Sequence, residues 1–191
     1  MKMKRRKKNI FRESVSYIGE SLPFIVGAIV IFLGSMIVGI AFPENFRFFD
    51  DILKDLAQKI EGLSTLELIL FIFQNNATGA ILAIVLGVFV GIVPIFNSLL
   101  NGALLGYVLA RATELGGLSV IWKLVPHGIF ELPAIFISFG LGIKLGMFVF
   151  TKEKKKEFFR RLFASLKVFL TIILPLLIIA AIIEGILIAF Y

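Results

Sequence analysis

The chain has 191 residues, 59% of them hydrophobic, and a mean hydropathy of +0.98. Soluble domains are about 45–50% apolar, so this composition predicts an integral membrane protein, organised as a single membrane domain over residues 1–191 with no room for a separate soluble catalytic domain. The absence of cysteine excludes disulfides, thiolate metal ligands and cysteine nucleophiles.

Two basic segments carry most of the net charge of +7: KMKRRKK at residues 2–8 and KEKKKEFFRR at residues 152–161. Each directly flanks an apolar run, which is where the positive-inside rule places cytoplasmic segments. The pattern therefore favours a topology signal, and no binding to nucleic acid is expected. Contact between these clusters and anionic lipid headgroups would follow from the same charges.

The N-terminal third is predicted to hold one membrane span between two interfacial segments. Residues 1–21 are basic and amphipathic, which is typical of a helix lying on the inner membrane surface. The apolar run at residues 22–42 has no small-residue cleavage site after it, so we expect a retained span and not a signal peptide. Pro43 ends this span, and residues 44–65 are predicted to be an acidic, amphipathic segment on the outer surface.

Residues 64–93 are predicted to form an overlong helix that is interrupted part of the way along. Ser64 and Glu67 give a capping-box pattern, which predicts where the helix begins. The sequence QNN at residues 74–76 predicts a break or kink, so that a short half-helix precedes the main span. A re-entrant or separate half-helix over residues 65–76 is the open alternative.

The remaining apolar runs predict three more spans, at about residues 98–111, 126–150 and 166–190. The sequence PIFN at residues 94–97 predicts the inner turn before the first of them. Lys144 lies late in the second, where its long side chain can reach the inner surface. The sequence thus predicts an all-α, polytopic bundle of about five transmembrane helices in the plasma membrane, with a cytoplasmic N-terminus and an extracytoplasmic C-terminus.

Polar side chains inside the apolar runs mark the candidate site, because such groups are costly in a bilayer unless they find partners. His127, the one histidine of the sequence, and Glu131 share a helix face because they are four residues apart. The polar residues fall in the outer half of the membrane except Asn97 and Asn101, which fall near the inner side unless their span is re-entrant. We expect Glu131 or Glu184, with asparagine amides, to hydrogen-bond the imidazole. The predicted polar network consists of Asn75, Asn76, Asn101, His127, Glu131 and Glu184.

Three interpretations of this network stay open. A packing role that fixes the helix arrangement ranks first. An ion or transport pathway ranks second, since intramembrane ionisable groups commonly mark one. A metal-dependent hydrolase ranks third: His127, Glu131 and Glu184 could hold a single divalent ion, but the spacing HxxxE differs from the HExxH of metalloproteases. No cofactor is predicted, and an enzyme is not favoured.

Glycines four residues apart are typical of membrane helices that touch backbone to backbone. Such pairs occur in three of the spans, and we expect close packing there, within one subunit or across a homodimer. The glycines predicted to pack in this way are Gly87, Gly91, Gly102, Gly106, Gly128, Gly142 and Gly146.

Four motifs occur in the last two thirds of the chain. They are FQNNATGA (73–80), NGALLGY (101–107), PHGIFELPAI (126–135) and AAIIEG (180–185). In this order and spacing they resemble the stage II sporulation protein M family, also called DUF95, over about residues 65–190. The resemblance implies that the six residues of the polar network, with Gly102, Gly106 and Gly128, are shared by the family.

The resemblance also implies a prokaryotic membrane protein that acts with partners. In sporulating bacteria the members belong to a membrane complex that remodels peptidoglycan during engulfment, in which partner proteins do the enzymatic work. Relatives in archaea that lack this polymer imply a more general shared activity. We therefore expect a non-enzymatic scaffold or assembly component of an envelope complex, with protein partners and a homodimeric state.

Overall fold

The computed structural model describes the backbone of residues 9–115 and 121–190, and the side chains of residues 9–112 and 128–189. Five stretches in these residues are helical, long and apolar enough to cross a membrane, which confirms the predicted all-α fold with five spans. The helices are α1 (Ile10–Ala41), α2 (Phe48–Ile60), α3 (Thr65–Val85), α4 (Ile92–Leu115), α5 (Ile121–Gly146), α6 (Lys154–Val168) and α7 (Leu174–Phe190).

Helix α4 runs parallel to α1, and the two pack over most of their length. The Ser98 hydroxyl donates a hydrogen bond of 2.8 Å to the carbonyl oxygen of Ala28. One turn further along both helices, Gly102 lies against the backbone of Phe32, and a further turn on Gly106 lies against Met36. A Cβ at either glycine would overlap the α1 backbone, so glycine is what allows this close approach.

Helix α5 lies at the centre of the bundle, contacts α1, α3, α4 and α7, and runs antiparallel to α1. Gly140 faces the backbone of Ile25, whereas Phe136, one turn earlier in α5, packs edge-on against Phe32 with ring centroids 5.0 Å apart. Helix α3 packs mainly on α7 and has few contacts with α4, although a short turn joins them. The two therefore separate as they leave that turn.

The turn between α3 and α4 lies at residues 86–91, not at the predicted PIFN segment. Val90 and Gly91 have positive φ angles of 56° and 74°, which reverse the chain there. Pro94 instead lies in the first turn of α4, where a missing N–H costs nothing. The glycines of this turn pack on the end of α5: Gly87 lies against Gly142, and Gly146 against Gly91 and Gly87.

The predicted break at residues 74–76 is wrong. Helix α3 is continuous from Thr65 to Val85, and it begins with the predicted capping box, which is confirmed: the Ser64 hydroxyl accepts from the Glu67 N–H while the Glu67 carboxylate accepts from the Ser64 N–H at 2.8 Å. Amide side chains lower helix propensity only slightly and leave the backbone hydrogen bonds in place. The QNN segment therefore changes the surface of α3 and not its path.

Residues 10–21 are not a separate surface helix, because α1 runs without interruption from Ile10 to Ala41. The first turns of α1 nevertheless lie antiparallel to α6, since Glu13 pairs with Lys167 and Glu20 with Arg160. Helices α1 and α7, in contrast, leave this region in the same direction. Such pairing requires a change of direction. The features that bend helices, Pro23 and the π-helical turn at Phe169–Ile173, lie at the corresponding places.

The last two spans also differ in their bounds from the prediction. Helix α5 begins at Ile121, so Pro126 lies inside it and does not open it. Helix α7 begins at Leu174 and is preceded by α6, an amphipathic helix formed by the second basic segment. The predicted span at residues 166–190 includes the end of α6 because the apolar residues of α6 and α7 are contiguous in the sequence.

Helix α2 forms within the predicted amphipathic segment and is anchored on α4. Phe49 is buried against Tyr107 with ring centroids 5.9 Å apart, and the Tyr107 hydroxyl donates to Asp50. Phe48 and Ile52 on the same helix remain half exposed. We call the end of the bundle with α2 and Glu184 the far end, and the end with the turn at residues 86–91, Lys144 and Arg160 the basic end.

Candidate functional site

The asparagines of α3 do not enter the core. Asn75 is exposed and Asn76 is half-buried, and the Asn75 amide donates to the Asn76 carbonyl oxygen at 3.5 Å, the long limit for a hydrogen bond. Gly79, one turn from Asn75, has nothing within 4 Å of the place where a Cβ would lie. Thr78 beside it is exposed as well. This part of α3 is a polar surface inside an apolar span.

Asn101 is likewise exposed, on α4. Its amide nitrogen donates a hydrogen bond of 2.8 Å to the Asn97 carbonyl oxygen in its own helix. Its amide oxygen accepts no hydrogen bond from the residues that the structure describes. The asparagine side chains therefore point outward from two helices and do not converge on one core site.

Asn101 lies at the depth of Asn75, which corrects its predicted position near the inner side. The prediction started α4 after residues 94–97, whereas the helix begins at Ile92. Asn75 and Asn101 are ten and nine residues from the helix ends that flank the turn, which at 1.5 Å per residue is about 15 Å along each helix. They form a matched pair of exposed amides.

The two glutamates lie in the same region of the bundle. Glu131 of α5 and Glu184 of α7 are close enough to repel each other electrostatically, and both are half-buried. Glu184 lies near the far end, where Gly185 packs against Ile69 at the start of α3. His127 lies one turn before Glu131 in α5, but its side chain is outside the described part of the structure. Of the described residues of the predicted network, only Glu131 and Glu184 thus form a pair between helices.

The metal hypothesis remains untested by the geometry. In residues 9–112 and 128–189, no three histidine, cysteine, aspartate or glutamate side chains come together. The set of His127, Glu131 and Glu184 extends beyond that part of the chain. A single divalent ion on these residues stays a prediction.

Lys144 forms a second polar cluster, at the basic end, that sequence analysis missed. Its side chain is 7% exposed and does not extend to the surface as predicted. The ammonium donates to the Ser21 hydroxyl at 3.0 Å, lies 3.9 Å from the centroid of the Tyr17 ring and is 3.7 Å from the Glu20 carboxylate. A cation can be buried here because it has a hydroxyl, an aromatic face and a carboxylate around it.

A sequence signal for this cluster does exist. Tyr17, Glu20 and Ser21 lie at helical spacing on one face of α1. Because residues 1–21 are predicted to form a surface helix, these three side chains are not expected in the core. The Arg161 guanidinium adds a hydrogen bond of 2.6 Å to the Lys144 carbonyl oxygen, so α6 closes the cluster from its other side.

Most glycines of the spans lie at helix contacts, and Gly128 differs. Among the described residues, only the tip of Leu132 lies within 4 Å of a Cβ placed there. Leu132 belongs to the same helix, so the described neighbours give Gly128 no close approach between helices.

A bundle of five apolar helices, held together by glycine contacts and bearing polar residues inside its spans, defines the chain as a polytopic integral membrane protein. A family model described as stage II sporulation protein M matches residues 8–187, and the chain belongs to this family.

A relative outside sporulating bacteria is also similar. The chain is 32% identical to the uncharacterized protein MJ0706 of the archaeon Methanocaldococcus jannaschii, in a match that covers 86% of this chain and 77% of that protein. No solved structure matches the chain.

Proposed function

We propose that this protein is a non-enzymatic membrane scaffold that assembles through the amide-bearing faces of α3 and α4. Its first partner is a second copy of the chain, and the pair then acts as an assembly component of an envelope complex. The observation that carries the proposal is the exposure of Asn75 and Asn101 at one depth inside apolar spans. Lipid tails cannot hydrogen-bond an amide, so another protein is the natural partner in that layer.

The neighbourhood of Asn75 suits an interface between helices. Gly79 lies on the same face one turn away, and the space beside it is open. Small residues let helix backbones approach, and asparagine links helices in membranes because its side chain both donates and accepts. Two copies of this face are complementary to each other.

Inside each subunit we propose that His127 completes the carboxylate pair. His127 and Glu131 share a face of α5, and Glu184 reaches the same region from α7. An imidazole between two carboxylates would offset their repulsion and hold α5 to α7. The asparagines, assigned to this network from the sequence, act between subunits instead.

The basic segments support a membrane orientation. We propose that the basic end is cytoplasmic, because it carries Lys144, Arg160, Arg161 and the lysines of α6. The far end, with α2 and Glu184, then faces the outside of the plasma membrane, and the exposed amides lie between the two ends. Five spans leave the two termini on opposite sides.

Association in bilayers tests the scaffold proposal. The full chain, labelled with donor or acceptor dyes and reconstituted in lipid vesicles, would be diluted with lipid while energy transfer is measured. We expect a dimer that Asn75→Leu together with Asn101→Leu dissociates. Asn45→Leu removes an exposed asparagine in the connection after α1 and serves as the matched control. Equal association of the double variant and the unmodified protein would contradict the proposal.

The carboxylate pair favours transport as a second candidate function. Glu131 and Glu184 lie together inside apolar spans, which is a common feature of ion pathways. A proteoliposome assay of proton or cation flux tests this candidate. Flux above that of empty vesicles, lost on Glu131→Gln, would place transport ahead of the scaffold.

A further inference from the structure

A cavity of about 350 Å³ lies between the first turns of α1 and helix α6, at the basic end. It is separate from the far-end residues discussed above. Glu13 and Glu20 line it from α1, and Arg160 and Lys167 line it from α6. Its size is within the range of about 300–1,000 Å³ that is usual for small-molecule sites.

The two ends of the cavity differ in how tightly their charges pair. At one end the Lys167 ammonium is 2.9 Å from the Glu13 carboxylate, which is hydrogen-bonding distance. At the other end the Arg160 guanidinium is 3.9 Å from the Glu20 carboxylate, which is too long for a direct bond. The Glu20 side chain is 55% exposed, so a ligand can reach it.

Arg160 is held in place for binding from its own helix. Its guanidinium makes two hydrogen bonds to the Glu157 carboxylate, of 2.8 and 2.9 Å. A guanidinium has five N–H donors, so further donors remain for a ligand. Ser16, which is exposed, adds a polar residue to the α1 wall.

The charges on the walls define the ligand chemistry. Carboxylates on α1 face cations on α6, and the four charges sum to zero. A simple anion would be attracted by one wall and repelled by the other. A compact ligand with an ammonium and a phosphodiester suits both, because arginine and lysine bind phosphate and carboxylates accept from an ammonium.

An apolar strip beside the cavity points to a lipid source for this ligand. Phe163 and Leu170 are 59% and 62% exposed, and each lies three residues after a cavity cation, Arg160 or Lys167. Residues three apart are neighbours on a helix surface, so acyl chains can lie directly beside the headgroup site. The cavity itself lies where the apolar spans end, at the level of lipid headgroups.

We propose that this cavity binds the headgroup of a zwitterionic aminophospholipid. Its ammonium lies against Glu20 and Glu13, its phosphate against Arg160 and Lys167, and its acyl chains follow the apolar strip. A soluble glycerophosphoethanolamine has the same polar chemistry. The apolar strip is the reason for assigning the lipid.

Native mass spectrometry of the full chain in detergent tests the ligand class. Phosphatidylethanolamine, phosphatidylcholine and phosphatidylglycerol would be added separately at equal concentration. We expect phosphatidylethanolamine to bind about tenfold more tightly than the other two, because one lacks N–H donors and the other lacks an ammonium. Equal binding of phosphatidylglycerol would overturn the proposal.

Matched variants test the site. Glu20→Gln and Arg160→Gln are each expected to weaken phosphatidylethanolamine binding about tenfold. Glu153→Gln and Lys155→Gln make the same charge changes at exposed positions outside the cavity and are expected to leave binding unchanged. Equal losses in the controls would show general electrostatic attraction and overturn the site.

Two further measurements test whether the variants are folded and whether the ligand is a lipid. Thermal unfolding of each variant shows that it is folded, which is expected because Glu20 and Arg160 are both largely exposed. Displacement of the lipid by soluble glycerophosphoethanolamine at the same concentration would overturn the lipid assignment. Failure of lipid binding leaves the dimer measurement unaffected, since the cavity lies between α1 and α6 and the exposed amides lie on α3 and α4.

Discussion

Polar side chains are buried with partners at the basic end of the bundle and exposed in its middle part. At the basic end, Lys144 is almost fully buried, and Ser21, Tyr17 and Glu20 surround its ammonium. In the middle part of α3 and α4, Asn75 and Asn101 lie on the surface with hydrogen bonds only to their own helices among the described residues.

This difference shows in which part of the structure the polar side chains find their partners within a single chain. A polar group at membrane depth is tolerated when it has partners. At the basic end these partners come from α1 and α6 of the same subunit, so the polar contacts there stabilise the fold of the single chain. Among the described residues, the exposed amides have no partner from another helix, which is why we propose that a second chain binds that surface.

The largest expected effect comes from the glycine contacts at the basic end. Gly142→Val would place a side chain into the Ala83 carbonyl group, which belongs to the backbone and cannot move aside. We expect a loss of about 3 kcal/mol in the free energy of unfolding, measured by denaturant titration in detergent. Gly34→Ala is the control, because nothing lies within 4 Å of its Cβ position. Equal stability of Gly142→Val and the control would disprove this packing.

Removal of the buried cation should have the next largest effect. Lys144→Ala loses a charged hydrogen bond and a cation–π contact and leaves the Ser21 hydroxyl without its donor. We expect a destabilisation of about 2 kcal/mol. Lys155→Ala, at an exposed position in α6, should change stability by less than about 0.5 kcal/mol. A similar small change for Lys144→Ala would mean that the basic end does not depend on this cluster.

The carboxylate pair and His127 should contribute less. We expect His127→Ala to destabilise the protein by about 1 kcal/mol, since hydrogen bonds between membrane helices are of modest strength. A double-mutant cycle with Glu131→Ala measures their coupling, which should be about 0.6–1.7 kcal/mol. Additive effects of the two changes would remove His127 from the proposed contact.

Metal analysis separates the scaffold from the hydrolase interpretation. We expect no stoichiometric transition metal in the purified protein, measured by elemental analysis. One metal per chain that is lost on His127→Ala or Glu131→Gln would contradict this expectation and support metal-dependent chemistry at the far end.

Parts of the structure that depend on local chemistry were predictable from the sequence. The Ser64–Glu67 capping box and the five apolar spans follow from residue type and spacing alone. The path of the chain between α3 and α4 was not predictable in this way. The PIFN sequence indicated a turn, and the QNN sequence a break, at places where the helices are continuous. The actual turn uses Val90 and Gly91, whose positive φ angles leave little trace in an apolar run.

The candidate site was predictable only in part, for a related reason. Spacing places residues at a depth, so Glu131 and Glu184 are expected at one level, and the structure places them within electrostatic range of each other. It does not say which way a side chain points, and Asn75 and Asn101 turned out to face outward. Lys144 was missed because its partners belong to a segment that pattern analysis assigned to the membrane surface.

Cysteine cross-linking tests the central claim most directly, because the chain contains no cysteine of its own. Asn75→Cys and Asn101→Cys would be oxidised separately in native membranes, with Val30→Cys on the lipid-exposed side of α1 as control. We expect disulfide-linked dimers from the two asparagine positions and almost none from Val30. Cross-linking no greater at residues 75 and 101 than at residue 30 would contradict assembly through the exposed amides.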